Sequence, residues 1–294
     1  MRVNRRTHDL CPDNRGVSVD HYENFPVASW LCPPALRPPI TAIYHFARTA
    51  DDLADEGSAP PEQRRAWLQQ LRDSWHAHLR GEPADPRWAA MLATLVREQR
   101  RHALPQTLLE DLLDAFRQDC GNPLYDSRDQ LLDYCRRSAN PIGRLLLHLY
   151  HVDEPKALQR SDDICTALQL INFWQDFSVD HPRGRCYLPA EDCARHGVDR
   201  AALLAGRVPG RTEAALLTDL LDWTEGLMRR GAPLVHQLPG RVGWELRAVV
   251  QGGLHVLATI RRMNPHSFQT RPQLRGADWL AIGWAALCMR RTVS

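Results

Sequence analysis

The chain has 294 residues, of which 44% are hydrophobic and 24% are charged, and this balance predicts a globular protein with a large core. The formal net charge of only +2 argues against a nucleic-acid ligand. Nearly all of the positive charge is arginine, since Lys156 is the only lysine, and arginine suits phosphate binding because a guanidinium donates two parallel hydrogen bonds.

Residues 1–19 are polar and carry Pro12, Asn14 and Gly16, which predicts a flexible N-terminal arm before one domain at 20–294. From there on, apolar residues recur at helical spacing, and no segment predicts a strand. The pattern predicts a single all-α domain of about nine or ten helices. The predicted helices lie at about 38–56, 62–79, 86–102, 106–117, 127–138, 141–151, 162–180, 212–237, 241–263 and 276–291, with a long connection at 181–211.

The helix predicted at 38–56 carries a row of acidic residues near its end. Asp51 and Asp55 are four residues apart and share a face, with Arg48 three residues before Asp51. Asp52 is turned by about 100° and is a weaker candidate. Like charges at this spacing destabilise a helix, and a divalent cation between them would reverse that effect.

A second polar row lies on the helix predicted at 162–180. Asn172, Asp176 and Asp180 follow one another at intervals of four residues, and Gln169 extends the row backwards. The other side chains around this helix are mostly apolar, which predicts that the helix is buried and that its polar row faces a lined cavity. Buried carboxylates need a counter-charge, and Mg²⁺ fits because it prefers oxygen ligands and bridges carboxylates to substrate phosphates. The loop that follows could bring Arg183 and Arg185 over the metal to bind a diphosphate.

With these rows in view, the sequence resembles the squalene/phytoene synthase family over about residues 20–290. The first row matches that family's aspartate-rich signature, and the second matches its counterpart of the form QLxNxxxDxxxD. Two further segments, Tyr134–Gly143 and Arg183–Pro189, match family motifs that occur in the same order. The resemblance implies an isoprenoid synthase-type helical bundle with a central cavity.

Two departures from the family pattern are informative. The segment Ser138–Gly143 stands where phytoene and squalene synthases have a VAGxVG-like run, and Gln175 replaces the usual arginine before an aspartate of the second row. Together with the segment His21–Ser29, these departures resemble the hydroxysqualene synthase branch of bacterial hopanoid pathways. That branch implies Mg²⁺-dependent conversion of presqualene diphosphate to hydroxysqualene by ionisation of the diphosphate and capture of the cation by water.

The resemblance also implies roles for individual residues. A magnesium cluster would be held by Asp51, Asp52, Asp55, Asn172, Asp176 and Asp180. The isoprenoid diphosphate would be bound by Arg48, Gln169, Arg183 and Arg185. Tyr134 and Tyr44 are the candidate catalytic tyrosines, and the amide of Asn140 is a candidate for holding a water at the cavity wall. The alternative for Asn140 is that it caps the helix that begins at Pro141. An apolar tunnel would be lined by residues such as Phe25, Val27, Ile43, Leu146 and Phe173.

Three other functions are open at this point. The first is head-to-head condensation of two prenyl diphosphates to presqualene diphosphate, squalene or phytoene. The second is a non-catalytic helical assembly factor, which would not need both acidic rows. The third is a terpene cyclase acting on a linear substrate, although the second row lacks the serine or threonine usual in that class.

The eight cysteines form no CxxC pair and the polar N-terminus lacks a secretory signal, so we expect reduced thiols and a cytoplasmic location. No apolar run reaches the ~20 residues that a membrane span requires. The run Trp279–Met289 predicts a buried helix, with shallow membrane contact as the alternative. Because substrate and product are so apolar, we also expect transient contact with the inner membrane surface and handover to neighbouring pathway enzymes.

Overall fold

The computed structural model describes residues 32–55, 57–83, 85–238 and 240–289. Its regular elements are α-helices and short 3₁₀ turns, with no strand in the described ranges, so the all-α prediction is confirmed. The predicted N-terminal arm and the segment His21–Ser29 lie outside the described residues. The helices are α1 (Arg37–Asp55), α2 (Pro61–Arg80), α3 (Ala89–His102), α4 (Gln106–Asp119), α5 (Arg128–Ser138), α6 (Asn140–Leu149), α7 (Pro155–Asp180), α8 (Ala190–Arg195), α9 (Arg200–Leu204), α10 (Arg211–Gly231), α11 (Gly240–Met263) and α12 (Gly276–Cys288).

Most helix boundaries fall within a few residues of the prediction, and the larger differences have local causes. Helix α7 begins at Pro155, seven residues before the predicted start, because proline fits the first turn of a helix and the polar residues after it form the solvated start. Helix α10 ends at Gly231, since Pro233 cannot continue its hydrogen bonds and the chain forms a 3₁₀ turn at Ala232–His236. The predicted connection at 181–211 contains the short helices α8 and α9.

Helix α7 runs through the centre of the molecule. Its side chains are buried on several faces, as the apolar sequence predicts, and Trp174 donates a hydrogen bond from Nε1 to Thr224 Oγ1 of α10 at 2.9 Å. At Gly231 of α10, an added Cβ would lie 2.6 Å from the carbonyl oxygen of Arg160. The absence of a side chain at Gly231 therefore lets α10 lie directly against the α7 backbone.

Two hydrophobic cores flank a central cavity. Helices α1 to α4, with Leu145 and Leu149 of α6, build one core, and the other is built mainly from α5, α7, α10 and α11. The cavity between them has a volume of about 1230 Å³. The C-terminal halves of α1 and α7 give it a charged part, and α6, α11 and the earlier residues of α1 and α7 give it an apolar part.

Helix α12 differs from its prediction as a buried helix. Ile282 and Ala286 are buried, but Trp279, Leu280, Trp284 and Leu287 are exposed, so the interpretation as a buried helix is wrong for that face. Within the described ranges, no helix combines the length and apolar character that crossing a bilayer requires. The seven cysteines that the structure describes are all unpaired thiols.

Candidate active site

The acidic row of α1 faces the central cavity. Arg48 forms ion pairs with two members of the row, through Nη1 with Asp51 Oδ2 at 3.2 Å and through Nη2 with Asp52 Oδ1 at 2.8 Å. Asp51, Asp52 and Asp55 all line the cavity, including Asp52, which the spacing made the weaker candidate. Arg48 thereby holds two of the three carboxylates at one edge of the cavity.

The second row faces the same cavity from α7. Its members that line the wall are Gln169, Asn172, Asp176 and Asp180. Arg185 connects the rows, because its guanidinium pairs with Asp55 of α1 and lies 4.0 Å from Asp180 of α7. The two rows are therefore opposite each other, with an arginine between them.

The loop after α7 folds back over this region. Gly184 adopts a left-handed conformation (φ 77°), and the carbonyl of Arg183 accepts a hydrogen bond from Asn122 Nδ2 at 3.0 Å. This turn places both Arg183 and Arg185 in the cavity wall. A positive φ is what glycine tolerates without strain, which explains the glycine between the two arginines.

Arg271 is a cavity residue that the sequence interpretation missed. It donates from Nε to Asp176 Oδ1 at 2.5 Å and from Nη2 to Asp176 Oδ2 at 3.1 Å. The backbone carbonyl of Pro272 accepts a hydrogen bond from Gln175 Nε2 at 2.8 Å, so this segment is bonded to α7. Arg271 is 95 residues from Asp176 in a segment without periodicity, so no local signal marks it.

Asp119 is the second missed residue, and it belongs with Tyr134. The Tyr134 hydroxyl donates to Asp119 Oδ2 at 2.8 Å, while Asp119 Oδ1 is buried and has no hydrogen-bond partner among the described residues. Burial, foremost, raises the pKa of Asp119 well above its ordinary range. Burial also raises the pKa of Tyr134, with the nearby Asp119 charge adding to it, so the phenol stays neutral. In the sequence, Asp119 is one acid at the end of a helix and carries no distinguishing pattern.

Aromatic rings surround Tyr134. Its ring centroid lies 5.6 Å from that of Tyr125 and 6.2 Å from that of Phe173. Phe173 in turn stacks on Tyr187 at 3.6 Å. Ring faces carry negative charge density and attract cations, so this cluster suits a cavity that contains a carbocation.

One carboxylate in each row is difficult to ionise in the absence of a cation. Burial and then the neighbouring Asp55 charge raise the pKa of Asp51 to about 7. Burial, with a contribution from Asp176, raises the pKa of Asp180 to about 6. The Asp51 side chain is 37% exposed, and because it lines the cavity, that surface is accessible to a ligand.

The donor set fits magnesium, although the side chains are not gathered around a metal. Within the described ranges, no three histidine, cysteine or acidic side chains are close enough together to enclose an ion. Arginines pair with the carboxylates instead, at Asp51, Asp55 and Asp176. The oxygen-only ligands on two facing helices are those that Mg²⁺ prefers, and a diphosphate would give the arginines an alternative partner.

The remaining predicted residues divide into those at the cavity and one away from it. Tyr44 lies one turn before Arg48 and lines the cavity, as do Ile43, Leu146 and Phe173 of the predicted tunnel. Phe25 and Val27 lie outside the described residues. Asn140 is buried, and its Oδ1 accepts a hydrogen bond from Thr166 Oγ1 at 3.0 Å, away from the cavity lining.

Of the two predictions for Asn140, the cap is wrong and the water-holding role stays a prediction. The Asn140 amide oxygen connects α6 to α7. The side chain does not cap α6, because the helix already includes Asn140 and the preceding Ala139 stands at the cap position. Sequence spacing alone could not show which face of α6 this residue occupies.

Comparisons with known proteins place the chain in one family. A family model for squalene/phytoene synthase matches residues 19–278. A hydroxysqualene synthase from Zymomonas mobilis is 42% identical over 173 residues, which span 58% of this chain and 55% of that relative. Another from Sinorhizobium fredii is 30% identical over 275 residues, 93% of this chain and 90% of that relative. A solved squalene synthase from Alicyclobacillus acidocaldarius has 32% identity and a TM-score of 0.74, covering 83% of this chain and 89% of that one. Other relatives are named phytoene synthase and presqualene diphosphate synthase.

Proposed function

The chain belongs to the squalene/phytoene synthase family, and we propose that it converts presqualene diphosphate to hydroxysqualene with Mg²⁺ as its cofactor. The observation that carries the proposal is the facing pair of acidic rows in one part of a cavity whose other part is lined by apolar side chains. Ionisation of a long isoprenoid diphosphate needs both the charged and the apolar part, because the leaving group is highly charged and the remaining cation carries long hydrocarbon chains. The hydroxysqualene synthases that match most of the chain favour this product.

The carboxylates and Asn172 would hold the metal. Bound Mg²⁺ would neutralise the charge that develops on the departing diphosphate. The ligands would be Asp51, Asp52, Asp55, Asn172, Asp176 and Asp180. The raised pKa values of Asp51 and Asp180 agree with this role, because a carboxylate in a desolvated site is stabilised as the anion when a cation is adjacent.

Arginines would bind the diphosphate oxygens. Arg48, Arg185 and Arg271 each pair with a carboxylate of the two rows, so they already stand where negative charge is to be held. When the carboxylates bind metal, these guanidiniums can turn to phosphate, where they donate paired hydrogen bonds. Arg183 and Gln169 line the same part of the cavity and would add donors.

The rest of the cavity would protect the cation. Its aliphatic wall excludes bulk water, and the rings of Tyr134, Phe173 and Tyr187 offer faces that stabilise positive charge. The neutral Tyr134 hydroxyl, fixed by Asp119, would orient that ring. Tyr44 would act between the diphosphate and the cation, since it lies one turn from Arg48 on the same helix.

The decisive test is product analysis. Purified protein with Mg²⁺ and presqualene diphosphate, without a nicotinamide, is expected to release diphosphate and form hydroxysqualene, identified by mass spectrometry. Asp51→Asn and Asp176→Asn should each lower turnover at least about 100-fold, because each removes charge needed in the transition state. Asp222→Asn is the matched control, since Asp222 is an exposed carboxylate paired with Arg261.

Other outcomes identify the alternatives. Consumption of farnesyl diphosphate with no reaction of presqualene diphosphate would assign the chain to head-to-head condensation. No turnover of either substrate by the wild-type protein, with Mg²⁺ present, would favour the non-catalytic assembly factor.

We propose a cytoplasmic protein that works at the inner membrane surface, takes its apolar substrate there and hands its product to a neighbouring enzyme. The exposed indoles of Trp279 and Trp284 on α12 support the contact, because tryptophan is favoured at the boundary between headgroups and acyl chains.

A further inference from the structure

Capture of a carbocation by one water requires a polar group in the otherwise apolar part of the cavity. Four short polar side chains line that cavity: Cys32, Ser138, Ser161 and Cys165. Cys165 is hydrogen-bonded to Ser161, and Cys32 is hydrogen-bonded to the hydroxyl of Tyr150. Three of the four are thus already engaged with a side chain.

Ser138 is different. Its Oγ is buried, and no residue in the described ranges gives it a hydrogen bond. A buried hydroxyl without a partner is unfavourable, so such groups in proteins usually bind a side chain, the backbone or water. Ser138 is the last residue of α5, and nothing in the described structure fixes its hydroxyl in one direction.

The position of Ser138 is suited to a reacting cation. It lies four residues after Tyr134, so the two side chains share a face of α5, and both line the cavity. Ile142 and Gly143, at the start of α6, line the same wall. Tyr134 belongs to the aromatic cluster beside the acidic rows, so Ser138 lies one turn farther along, toward the aliphatic wall.

We propose that the Ser138 hydroxyl positions the water that captures the cation, an inference that rests on the proposed function. Rotation about the single Cα–Cβ bond turns Oγ toward the cavity, where it accepts a hydrogen bond from that water. The carbon–oxygen bond to diphosphate breaks with both electrons going to the leaving group. In the cyclopropylcarbinyl cation that remains, the water oxygen forms a bond to a ring carbon, the cyclopropane bond at that carbon breaks, and its electron pair forms the new double bond to the cationic carbon. The proton that the water loses goes to the released diphosphate. Ser138 supplies position and is regenerated unchanged.

The test compares product composition for wild type, Ser138→Ala, Ser138→Thr and the control Ser161→Ala, all with Mg²⁺ and presqualene diphosphate. In Ser138→Ala, release of diphosphate should stay within about twofold of wild type, because the hydroxyl does not touch the leaving group. The ratio of alcohol to hydrocarbon should fall roughly fivefold or more, the effect of one lost hydrogen bond, as the uncaptured cation loses a proton instead. Ser138→Thr keeps the hydroxyl and should restore the alcohol, and Ser161→Ala should leave the ratio unchanged.

Three results would overturn the inference. An unchanged product ratio in Ser138→Ala, with diphosphate release intact, would show that another group positions the water while leaving the proposed function standing. A wild-type protein that forms no alcohol would remove both proposals together. Loss of folding in Ser138→Ala would appear as a lowered Tm, and the decision then rests on Ser138→Thr. If that variant folds and still makes mainly hydrocarbon, the hydroxyl is not the positioning group.

Discussion

At the scale of single residues, the site is held by ion pairs between arginines and carboxylates. Arg48 pairs with Asp51 and Asp52, Arg185 with Asp55, and Arg271 with Asp176. Each pair joins a proposed diphosphate ligand to a proposed metal ligand. Substrate and metal arriving together can therefore separate every pair without leaving a buried charge uncompensated, which would otherwise be costly.

The raised pKa values make a prediction about pH. Mg²⁺ binding needs ionised carboxylates, so Mg²⁺ affinity should increase as pH rises through 6 to 7, the range of the raised pKa values of Asp180 and Asp51. Calorimetric titration with Mg²⁺ and inorganic diphosphate at pH 5.5 to 8 would measure this. A flat affinity across that range would contradict it.

The same shifts affect the metal-free protein with a definite sign. A carboxyl whose folded pKa exceeds its unfolded pKa binds more protons when folded, so its contribution to stability falls as pH rises. For Asp51, the window lies between about 4, the usual unfolded value, and its folded value of about 7. Asp51→Asn should flatten this part of the stability curve in metal-free buffer.

At the scale of elements, α7 contributes both to the stability of the core and to the geometry of the site. It contacts α5, α6, α10 and α11, and it presents the second row along its C-terminal half. Because one rigid helix carries buried core residues and metal ligands together, a change in how α10 lies against it should displace the ligands. The glycine at the α7–α10 crossing makes this testable.

Gly231→Ala should destabilise the protein by about 2 kcal/mol, since the added Cβ would lie 2.6 Å from the Arg160 carbonyl oxygen and cannot be accommodated without separating the helices. Gly226→Ala is the matched control on the same helix. Its Cβ would meet only the Arg230 side chain at 3.7 Å, so alanine should be neutral or stabilising. Equal denaturation midpoints for the two variants would show that α10 does not lie as closely on α7 as described.

At the scale of the whole molecule, the central cavity combines a charged part with an apolar part. The two hydrophobic cores leave about 1230 Å³ between them, and the acidic rows lie at the part formed by the C-terminal halves of α1 and α7. On the outside, α12 shows an apolar face with two tryptophans 61% and 70% exposed. An apolar substrate would therefore bind in the cavity and approach the protein near the exposed face of α12.

The surface prediction concerns lipid vesicles. Replacing Trp279 and Trp284 together by alanine should lower binding to phospholipid vesicles roughly tenfold, because two large apolar side chains no longer enter the interface. Co-sedimentation with vesicles measures the effect. Val208→Ala, which changes an exposed apolar residue between α9 and α10, is the control and should bind like wild type. Equal binding of all three proteins would remove α12 as the contact.

The sequence by itself determined the helical class, most helix boundaries and both acidic rows. These features depend on local spacing: residues four apart share a helix face, and proline and glycine interrupt helices wherever they occur. The same spacing predicted that α7 is buried, because apolar residues surround its single polar row.

Only the tertiary structure decided which residues meet across the cavity. Arg271 reaches Asp176 from 95 residues away, and Asp119 meets Tyr134 only because α4 and α5 pack together. It also decided that Asn140 connects α6 to α7 while the Ser138 side chain lines the cavity, although the two are separated by one residue. Such distinctions depend on how one helix is rotated against its neighbours, and the orientation follows from packing in the whole core rather than from any local pattern.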